Sequence, residues 1–384
     1  MADLGLSGPP NSRFVDPDFW SGRRVLVTGH TGFKGAWLAL WLQDVGAEVT
    51  GLSNGVPTSP SLYDLAGVRD AMAGEHSEDV RDFPAVAAAF AAARPEIVIH
   101  MAAQSLVRRS FEDPLETYGT NVMGTVNVLE AARRTDGCRA IVNVTSDKCY
   151  ENLEREAGYR EDARIGGSDP YSSSKGCAEL VTSAFRRSFF EPAGGPQAAS
   201  VRAGNVIGGG DWSDDRLLPD LMRAALEGEP LRVRNPDAIR PWQHVLNPLS
   251  GYLVLAQALC ESAEYATAWN FGPADDDAQP VRWLVDRVQR RWHTDLRWDL
   301  DTEPQPHEAH SLRVDSSLAR TKLGWCPLWD LDEAIDRTVS WYQEFEAGSD
   351  TRSATRAQIE SYAESQRRLS LDAGAGTRAG TGTP

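Results

Sequence analysis

The amino-acid sequence predicts an α/β fold in which helices cover both faces of a doubly wound parallel sheet. From Arg24 onward, short β-branched runs alternate with longer amphipathic segments, which is the pattern of parallel strands joined by crossover helices. A glycine-rich turn follows the first run and opens the first long helical segment, as in sheets of the Rossmann type. The length of 384 residues exceeds that of an ordinary single core and therefore predicts a second, smaller domain.

The individual elements follow from hydrophobic periodicity and from the turn residues between them. The predicted strands are Arg24–Thr28, Glu48–Leu52, Ile97–Met101, Ala140–Ser146 and Ala199–Ala203. The predicted helices of the same region are Phe33–Gly46, Pro84–Arg94, Leu115–Arg134 and Tyr171–Phe190. Strands and helices therefore alternate in the order that a parallel sheet requires.

The character of the sequence changes after Asn205, where clusters of Gly, Trp, Asp and Pro replace the regular alternation. Helical patterns then return at Val245–Cys260, Val281–Arg291 and Leu331–Phe345, with a strand-like run at Trp269–Gly272. We predict a Rossmann-type domain over residues 20–205, which residues 243–272 rejoin, and a smaller, interleaved C-terminal substrate-binding domain over 206–242 and 273–347. Residues 1–17 and 348–384 are turn-rich or low in complexity and are predicted to be flexible.

Composition excludes several classes of function. A net charge of -16 and a pI near 4.9 argue against nucleic acid as a partner, because phosphate backbones require a basic surface. No apolar run is long enough to cross a membrane and no secretory signal is visible, so we expect a cytoplasmic protein. Five cysteines without a Cys-x-x-Cys pair predict neither a disulfide framework nor a zinc site.

The distribution of lysine is more informative than the net charge. Only four of the 39 basic residues are lysines, and three of them, Lys34, Lys148 and Lys175, fall in the motifs described next. A compact ammonium can change its protonation state, whereas a guanidinium stays charged. These three positions are therefore candidates for chemistry.

The glycine turn has the spacing Gly-x-x-Gly-x-x-Gly, formed by Gly29, Gly32 and Gly35. Gly29 permits the tight turn, Gly32 lets backbone N–H groups approach a pyrophosphate, and Gly35 lets the helix pack closely on the strand. Glycines in a turn often serve the turn alone. Their place between a strand and a helix favours a dinucleotide site.

Tyr171 and Lys175 lie four residues apart in a segment that is predicted to be helical, so they share one face. Such a pair is common on ordinary amphipathic helices. A lysine beside a tyrosine can also lower the pKa of the phenol and make it a base for a substrate hydroxyl. The pair follows a strand that ends Asn143-Val-Thr-Ser-Asp-Lys-Cys-Tyr150, which supplies hydroxyl partners.

The glycine spacing and the Tyr-x-x-x-Lys pair resemble the extended short-chain dehydrogenase and reductase superfamily. This resemblance implies that Ser146, with Thr145 as the weaker candidate, completes a hydride-transfer triad with Tyr171 and Lys175. It also implies NAD or NADP contacts at the residues of the glycine turn and of two later strand ends. These are Gly29, Gly32, Phe33, Lys34, Gly35, Asp79, Val80, Ala102 and Ala103, together with Tyr171 and Lys175. The second strand ends Gly51-Leu-Ser-Asn54, which carries neither an acid nor an arginine, so charge does not select between the two cofactors.

The pair Asp147-Lys148 after Ser146 resembles the CDP-glucose 4,6-dehydratases. Other segments reinforce the likeness: Gly29-His-Thr-Gly-Phe-Lys-Gly35, Ala103-Gln-Ser-Leu-Val-Arg-Arg-Ser110, Gly204-Asn-Val-Ile-Gly-Gly-Gly-Asp-Trp212, Arg240-Pro-Trp-Gln-His-Val245 and His307-Glu-Ala-His-Ser-Leu312. Together they span about Arg24 to Trp341.

The resemblance implies an enzyme that oxidises C4 of CDP-glucose with NAD, removes water across C5 and C6, and returns the hydride to C6. Asp147 would be the acid and Lys148 the base. The implied substrate-binding residues are Gln104, Ser105, Asn205, Arg216 and Arg240. The helices Leu115–Arg134 and Tyr171–Phe190 resemble those that pair across a homodimer interface in this superfamily.

Several alternatives stay open from the residues alone. An epimerase or dehydratase of another nucleotide sugar would use the same triad, and a non-catalytic protein could bind NAD without turnover. Lys148 could be a base, a charged stabiliser of an enolate, or only an ion-pair partner of Asp147. Asn247 precedes Pro248 where an acid is expected, with no assigned effect. His307 and His310 lack metal-site spacing, and no metal is predicted.

Overall fold

The computed structural model describes residues 13–293, 297–301 and 311–378. Its strands are β1 (Arg24–Thr28), β2 (Glu48–Ser53), β3 (Gly74–Ser77), β4 (Ile97–His100), β5 (Ala140–Val144), β6 (Gln197–Arg202), β7 (Val206–Ile207), β8 (Leu231–Val233), β9 (Ile239–Pro241), β10 (Gln243–His244), β11 (Ala268–Asn270), β12 (Ala278–Pro280) and β13 (Trp298–Leu300). Seven of them form one sheet in the order β11-β6-β5-β4-β1-β2-β3, and every pairing in it is parallel. The predicted Rossmann-type sheet is confirmed.

The helices are α1 (Pro17–Trp20), α2 (Phe33–Asp44), α3 (Leu62–Leu65), α4 (Phe83–Ala93), α5 (Val107–Glu112), α6 (Pro114–Tyr118), α7 (Gly124–Arg133), α8 (Pro170–Phe185), α9 (Glu191–Ala193), α10 (Leu217–Glu227), α11 (Leu246–Glu261), α12 (Val281–Arg291), α13 (Leu331–Glu346) and α14 (Thr351–Arg378). The strand order reverses between β1 and β4, where the chain turns from one half of the sheet to the other. Ligands of open α/β sheets bind at that switch point, beyond the carboxyl ends of the strands.

Each central strand is apolar on both faces because helices cover both sides of the sheet. On β1, Val25 and Val27 face the larger core, while Leu26 faces a second core under α4 and α7. The same alternation places Ile97 and Val98 of β4 on opposite sides. The sheet is therefore a rigid support for the loops at its carboxyl edge.

Two helices that the periodicity predicts as continuous contain a wider turn. Residues 119–123 separate α6 from α7, and residues 186–190 follow α8, both with π-helical hydrogen bonding. At the first interruption the buried Asn121 side chain donates to the Gln104 carbonyl and to Ser174 Oγ, and it accepts from the Gln104 N–H. Periodicity does not reveal such polar anchoring, and wider turns of this kind are often found at functional sites.

The structure differs from the expectation of flexible ends beyond the two domains. Thr351–Arg378 forms α14, whose Tyr362 is buried and donates to Asn247 Oδ1 on α11 at 3.0 Å. At the other end, Arg13 Nη1 pairs with Glu261 at 2.7 Å. The local sequence does not predict these contacts, because each one joins residues that are far apart in the chain. Residues 1–12 and 379–384 lie outside the described residues.

Three small two-stranded sheets are formed by the described part of the chain after Asn205. They pair β7 with β10, β8 with β13, and β9 with β12. Helices α10, α12 and α13 pack around them, whereas β11 joins the large sheet beside β6. Among the described residues no helix is long and apolar enough to cross a membrane, and no cluster of His, Cys, Asp and Glu could hold a metal ion.

Candidate active site

The glycine turn lies at the switch point, between the end of β1 and the start of α2. Gly29 has a φ of +73°, and a Cβ there would lie 2.8 Å from the Ala102 nitrogen. A Cβ on Gly35 would lie 2.1 Å from the Gly29 carbonyl oxygen. Both residues must therefore be glycine for the protein to fold as it does.

Gly32 differs, since a Cβ there would meet only the Gly29 oxygen at 3.4 Å and its φ is -74°. The fold itself does not require glycine at this position, where Gly32 caps the N-terminus of α2 without a side-chain hydrogen bond. A Cβ would instead fill the cradle in front of the helix dipole, where a pyrophosphate is stabilised. The turn therefore fits a dinucleotide such as NAD.

Asp79 and Val80 follow β3 beside the end of β2. Asp79 accepts from Asn54 Nδ2 at 3.4 Å and from Arg81 Nη2 at 2.6 Å, and these hydrogen bonds hold the pKa of its carboxyl below the usual range. Val80 is buried under α7, where a Cβ on Gly124 would lie 2.8 Å from Val80 Cγ2. Asn54 thus links the end of β2 to Asp79, although no charged side chain of β2 itself marks the site.

Ser146 begins the short 3₁₀ turn Asp147–Cys149 that follows β5. Its hydroxyl accepts from the Lys148 N–H at 3.2 Å and donates to Asp147 Oδ1 at 3.0 Å. Ser146 also lies close enough to the Tyr171 phenol to hydrogen-bond it. The Thr145 hydroxyl instead donates to Glu179 Oε1 at 2.5 Å, so it is the Ser146 hydroxyl that the structure places beside Tyr171.

Tyr171 and Lys175 both lie on the buried face of α8, whose N-cap is Asp169. Burial raises the pKa of Tyr171 to about 12, although the Ser146 hydrogen bond and Arg216 act in the opposite direction. This differs from the expectation that Lys175 lowers the pKa of the phenol. Lys175 Nζ donates to the Val144 carbonyl at 3.2 Å, and burial lowers the pKa of Lys175 to about 8.

Asp147 is a buried carboxyl with an unused oxygen. Its Oδ2 has no hydrogen-bond partner among the described residues, and a Cβ on Gly204 would lie 2.7 Å from it. Burial raises the pKa of Asp147, while Lys148 and Arg240 oppose the shift. A buried carboxyl of this kind is suited to carry a proton and to deliver it to a substrate oxygen. The adjacent Lys148 is half-buried.

Lys34 extends from α2 into the same site, where its hydrogen-bond partner is a residue that no sequence motif marks. Its Nζ donates to the hydroxyl of Tyr252 on α11 at 3.0 Å. Burial, followed by the charges of Arg216 and Lys175, lowers the pKa of Lys34 to about 7. Tyr252 lies in an apolar helix without any motif, so no sequence signal points to it.

The structure brings only some of the predicted substrate-binding residues together. Arg216 Nη2 donates to Ser105 Oγ at 3.1 Å, which joins the start of α10 to the loop after β4. The buried Gln104 side chain donates to Thr117 Oγ1 on α6 and to the Leu106 carbonyl, and it accepts from the Leu106 N–H at 2.6 Å. Gln104 therefore shapes this loop and joins it to α6.

Arg240 and Asn205 flank the site from the smaller sheets. Arg240 pairs in register with Gln279 on β12, and its charge acts on Asp147. The Asn205 carbonyl accepts from the Gln243 N–H at 3.0 Å. Asn205 itself is partly exposed. Arg216, which also pairs with Asp211 at 3.3 Å, and Arg240 bring positive charge to this site.

Asn247 has a structural function. Its buried side chain accepts from the Leu328 N–H at 3.1 Å and from Tyr362, and it donates to the Trp329 carbonyl at 2.9 Å. An aspartate could accept these hydrogen bonds but could not donate to the carbonyl. His307 lies outside the described residues, as does His310.

Comparison with known proteins gives concordant results. The profile of the GDP-mannose 4,6-dehydratase family matches residues 26–338. The CDP-glucose 4,6-dehydratase of Salmonella typhimurium is 52% identical over 353 residues, which cover 91% of this chain and 98% of that protein. A probable dTDP-glucose 4,6-dehydratase of Sinorhizobium fredii is 28% identical over 84% of this chain and 93% of its own length.

Solved structures show the same fold at lower identity. The dTDP-glucose 4,6-dehydratase of Streptomyces venezuelae, crystallised with NAD, superposes with a TM-score of 0.72 at 21% identity and covers 86% of this chain and 99% of that one. The UDP-glucose 4-epimerase of Thermus thermophilus, also in complex with NAD, gives a TM-score of 0.71 at 24% identity and covers 83% of this chain and 99% of its own.

Proposed function

This chain belongs to the GDP-mannose 4,6-dehydratase family, and from that premise we propose that it is an NAD-dependent CDP-glucose 4,6-dehydratase. It is a lyase of the short-chain dehydrogenase/reductase type that converts CDP-glucose to CDP-4-keto-6-deoxyglucose. The relative that supports this substrate is the Salmonella enzyme, which is 52% identical over nearly its whole length.

One observation carries the reaction class: the enclosed Asp147 oxygen without a partner, next to Lys148 and to the Ser146–Tyr171 pair. An epimerase that only oxidises and re-reduces C4 has no use for a buried proton donor beside the hydroxyl pair. Elimination of water from C5 and C6 needs both an acid and a base. Asp147 and Lys148 supply these two groups on one short turn.

The residues of the chain act in the following order. Tyr171 takes the proton of the C4 hydroxyl, and Ser146 hydrogen-bonds the same oxygen. Bound NAD would supply the oxidant for C4 and the hydride for C6, so net redox would be zero. The C4 ketone acidifies the C5 proton, which Lys148 removes, while Asp147 protonates the departing C6 hydroxyl and water leaves. When the hydride reaches C6, Lys148 returns its proton to C5, and the proton that Tyr171 took from the C4 hydroxyl replaces the one that Asp147 gave to water. Closing this site against water strengthens each of these electrostatic contacts.

The cofactor lies against the glycine turn in this proposal. Gly32 and the start of α2 would hold the pyrophosphate, with Phe33, Lys34 and the glycines at 29 and 35 around it. Asp79 and Val80 would hold the adenine, whereas Ala102, Ala103 and Lys175 would hold the riboses. Arg216, Ser105 and Arg240 hold the diphosphate of the sugar nucleotide, with Asn205 beside them and Gln104 shaping the loop.

Product analysis tests the proposal directly. Purified protein is incubated with CDP-glucose and separately with the UDP, GDP and dTDP counterparts, and the products are identified by mass. We expect loss of one water from CDP-glucose and little turnover of the other three. Loss of water from another nucleotide sugar alone would refute the substrate, and an isomer of unchanged mass would refute the dehydratase chemistry.

We also propose a homodimer. The adjacent helices α6 and α8 expose apolar side chains, with Leu115 at 85% and Leu180 at 62% of full exposure. Met123 and Phe189, on the turns that follow these helices, are exposed apolar side chains as well. Large exposed apolar side chains on neighbouring helices favour association between copies of the chain.

We place the protein in the cytoplasm. All five cysteines are free, and Cys138 and Cys149 are buried as small core residues. Free thiols throughout a chain are typical of a reducing compartment.

A further inference from the structure

A buried ion pair lies just behind the catalytic groups. Glu179 follows Lys175 by one turn on α8, and Arg202 ends β6; Arg202 Nη2 lies 2.7 Å from Glu179 Oε2. Their side chains are only 5% and 4% exposed, respectively. A buried ion pair seldom stabilises a fold more than apolar residues would, because desolvating both charges is costly. Its presence calls for another explanation.

The carboxylate holds the entrance of the catalytic turn. Glu179 Oε1 accepts from Thr145 Oγ1 at 2.5 Å, and Thr145 immediately precedes Ser146. Glu179 Oε2 also accepts from Ser200 Oγ at 2.6 Å, but Ser200 lies on the sheet and not on the turn. The carboxylate thus has one hydrogen bond to the turn and one that is independent of it.

The guanidinium holds the exit of the same turn. Arg202 Nη1 donates to the Tyr150 hydroxyl at 2.6 Å, and Arg202 Cζ lies 4.8 Å from the centre of the Tyr150 ring. Tyr150 directly follows the turn Asp147–Cys149, and its hydroxyl donates to Asn270 Oδ1 at 2.7 Å. Both ends of the turn are therefore fixed by the two halves of one ion pair.

We propose that Glu179 and Arg202 are positioning residues for the elimination step, because together they clamp the turn that presents Asp147 and Lys148. This inference rests on the proposed dehydratase function. Misplacing a catalytic group by about 1 Å can cost about a hundredfold in rate. A clamp at both ends restricts the turn more than either hydrogen bond would alone.

The clamp affects elimination more than C4 oxidation. The backbone of Thr145 is also held by the sheet, since its N–H donates to the Val201 carbonyl at 2.9 Å. Ser146 therefore keeps a second anchor, and Tyr171 is held by α8 itself. The corresponding bond of Asp147, from its N–H to the Ala203 carbonyl, is longer at 3.4 Å. At the exit of the turn the Cys149 carbonyl also accepts from the Gly166 N–H at 2.9 Å. The part of the turn that depends most on the clamp is therefore the Asp147–Lys148 segment, where the bond to the sheet is longest.

Two mild substitutions release one end each without removing the ion pair. Thr145→Val deletes the hydroxyl that meets Glu179, and Tyr150→Phe deletes the hydroxyl that meets Arg202. In a single turnover with CDP-glucose, the rise in absorbance of the reduced cofactor reports oxidation, and its decay follows elimination. We expect the decay to slow by about tenfold or more in each variant while the rise stays within about threefold of the wild type. Solvent-deuterium exchange at C5 should fall with the decay.

Ser200→Ala is the matched control. It removes a hydrogen bond of similar length from the same carboxylate but does not touch the turn. We expect a lower melting temperature in all three variants and a wild-type ratio of elimination to oxidation in Ser200→Ala only. The clamp proposal would be wrong if the ratio of elimination to oxidation were equal in all variants. It would also be wrong if the rise and the decay of the reduced-cofactor absorbance slowed by the same factor. If the wild-type protein itself gives no reduced cofactor with CDP-glucose, the proposed function fails instead.

Discussion

At the scale of single residues, the site is defined by how burial changes each acid and base. Tyr171, Lys175 and Asp147 are all more than nine-tenths buried, and each one has its pKa moved toward the neutral form. The neutral form of Asp147 carries the proton that elimination needs, whereas Tyr171 must lose its own proton before it can act as the base. Three predictions follow from individual side chains.

Tyr171→Phe removes only the phenolic oxygen. Because that oxygen takes the proton of the C4 hydroxyl, we expect turnover to fall by at least about a hundredfold. The melting temperature and NAD affinity should stay close to the wild-type values. Wild-type turnover in this variant, measured under saturating CDP-glucose, would show that the triad is wrongly assigned.

Asp147 gives elimination a limb that declines as pH rises. Burial raises the pKa of this carboxyl, so its proton is retained to a higher pH than in a free aspartate, and elimination should decrease as pH rises through that pKa. Asp147→Asn keeps the volume but carries no acidic proton. We expect elimination to fall by about a hundredfold or more and this limb to vanish from the pH profile of the decay of the reduced cofactor. A retained limb would assign it to another group.

Lys148→Met should separate oxidation from elimination. If Lys148 is the C5 base, C4 oxidation proceeds, the reduced cofactor accumulates on the enzyme, and dehydration falls by about a hundredfold or more. Loss of C5 deuterium exchange should accompany this accumulation. A charged lysine that only stabilises the enolate would slow elimination as well, but the wild-type pH profile would then contain no basic group belonging to Lys148. Normal exchange and turnover would remove Lys148 from the mechanism.

At the scale of elements, the C-terminal helix α14 is part of the folded protein. Its Tyr362 packs edge-on against Trp41 of α2 and Trp329, and its hydroxyl meets Asn247 of α11. Asn247 therefore connects α11, the 328–329 backbone and α14. This explains an asparagine where the resemblance leads one to expect an acid, since the Trp329 carbonyl requires a donor.

Asn247→Leu tests that connection. It leaves the Leu328 N–H and the Trp329 carbonyl without this partner, while the Tyr362 hydroxyl keeps its hydrogen bond with Ser250. Each buried polar group left unpaired costs about 1–3 kcal/mol. We expect the free energy of unfolding to fall by about 3 kcal/mol in denaturant titration. Ser353→Ala removes an exposed hydrogen bond on α14 and should change the free energy of unfolding by less than about 0.5 kcal/mol. Equal effects would mean that α14 is not held through Asn247.

At the scale of the whole molecule, the proposed dimer places the exposed apolar side chains of α6 and α8 in its interface. Leu180→Glu places a charge on that surface, and we expect light scattering to report a dimer for the wild type and a monomer for the variant at micromolar concentration. Leu300→Glu is the matched control, because Leu300 is similarly exposed at 55% but lies on β13 in a separate small sheet. A wild-type monomer, or a dimer that survives Leu180→Glu, would contradict the interface.

The sequence by itself determined the parallel sheet, the glycine turn and the spacing of Tyr171 and Lys175. These features are set by neighbours in the chain: hydrophobic periodicity fixes strands and helices, and a four-residue spacing places two side chains on one helix face. The direction of the Tyr171 pKa was not determined in this way, because it depends on how many elements cover the phenol.

Only the tertiary structure decided which distant groups meet. Thr145 and Ser146 are adjacent in sequence, yet one turns to Glu179 and the other to Tyr171. Lys34 meets Tyr252 across 218 residues. No local pattern encodes such contacts, since they arise where the packed sheet brings the carboxyl ends of separate strands together. The same reason explains why α14 packs on the core. Its few apolar residues can be buried only because α2 and α11 are already folded and present a surface to them.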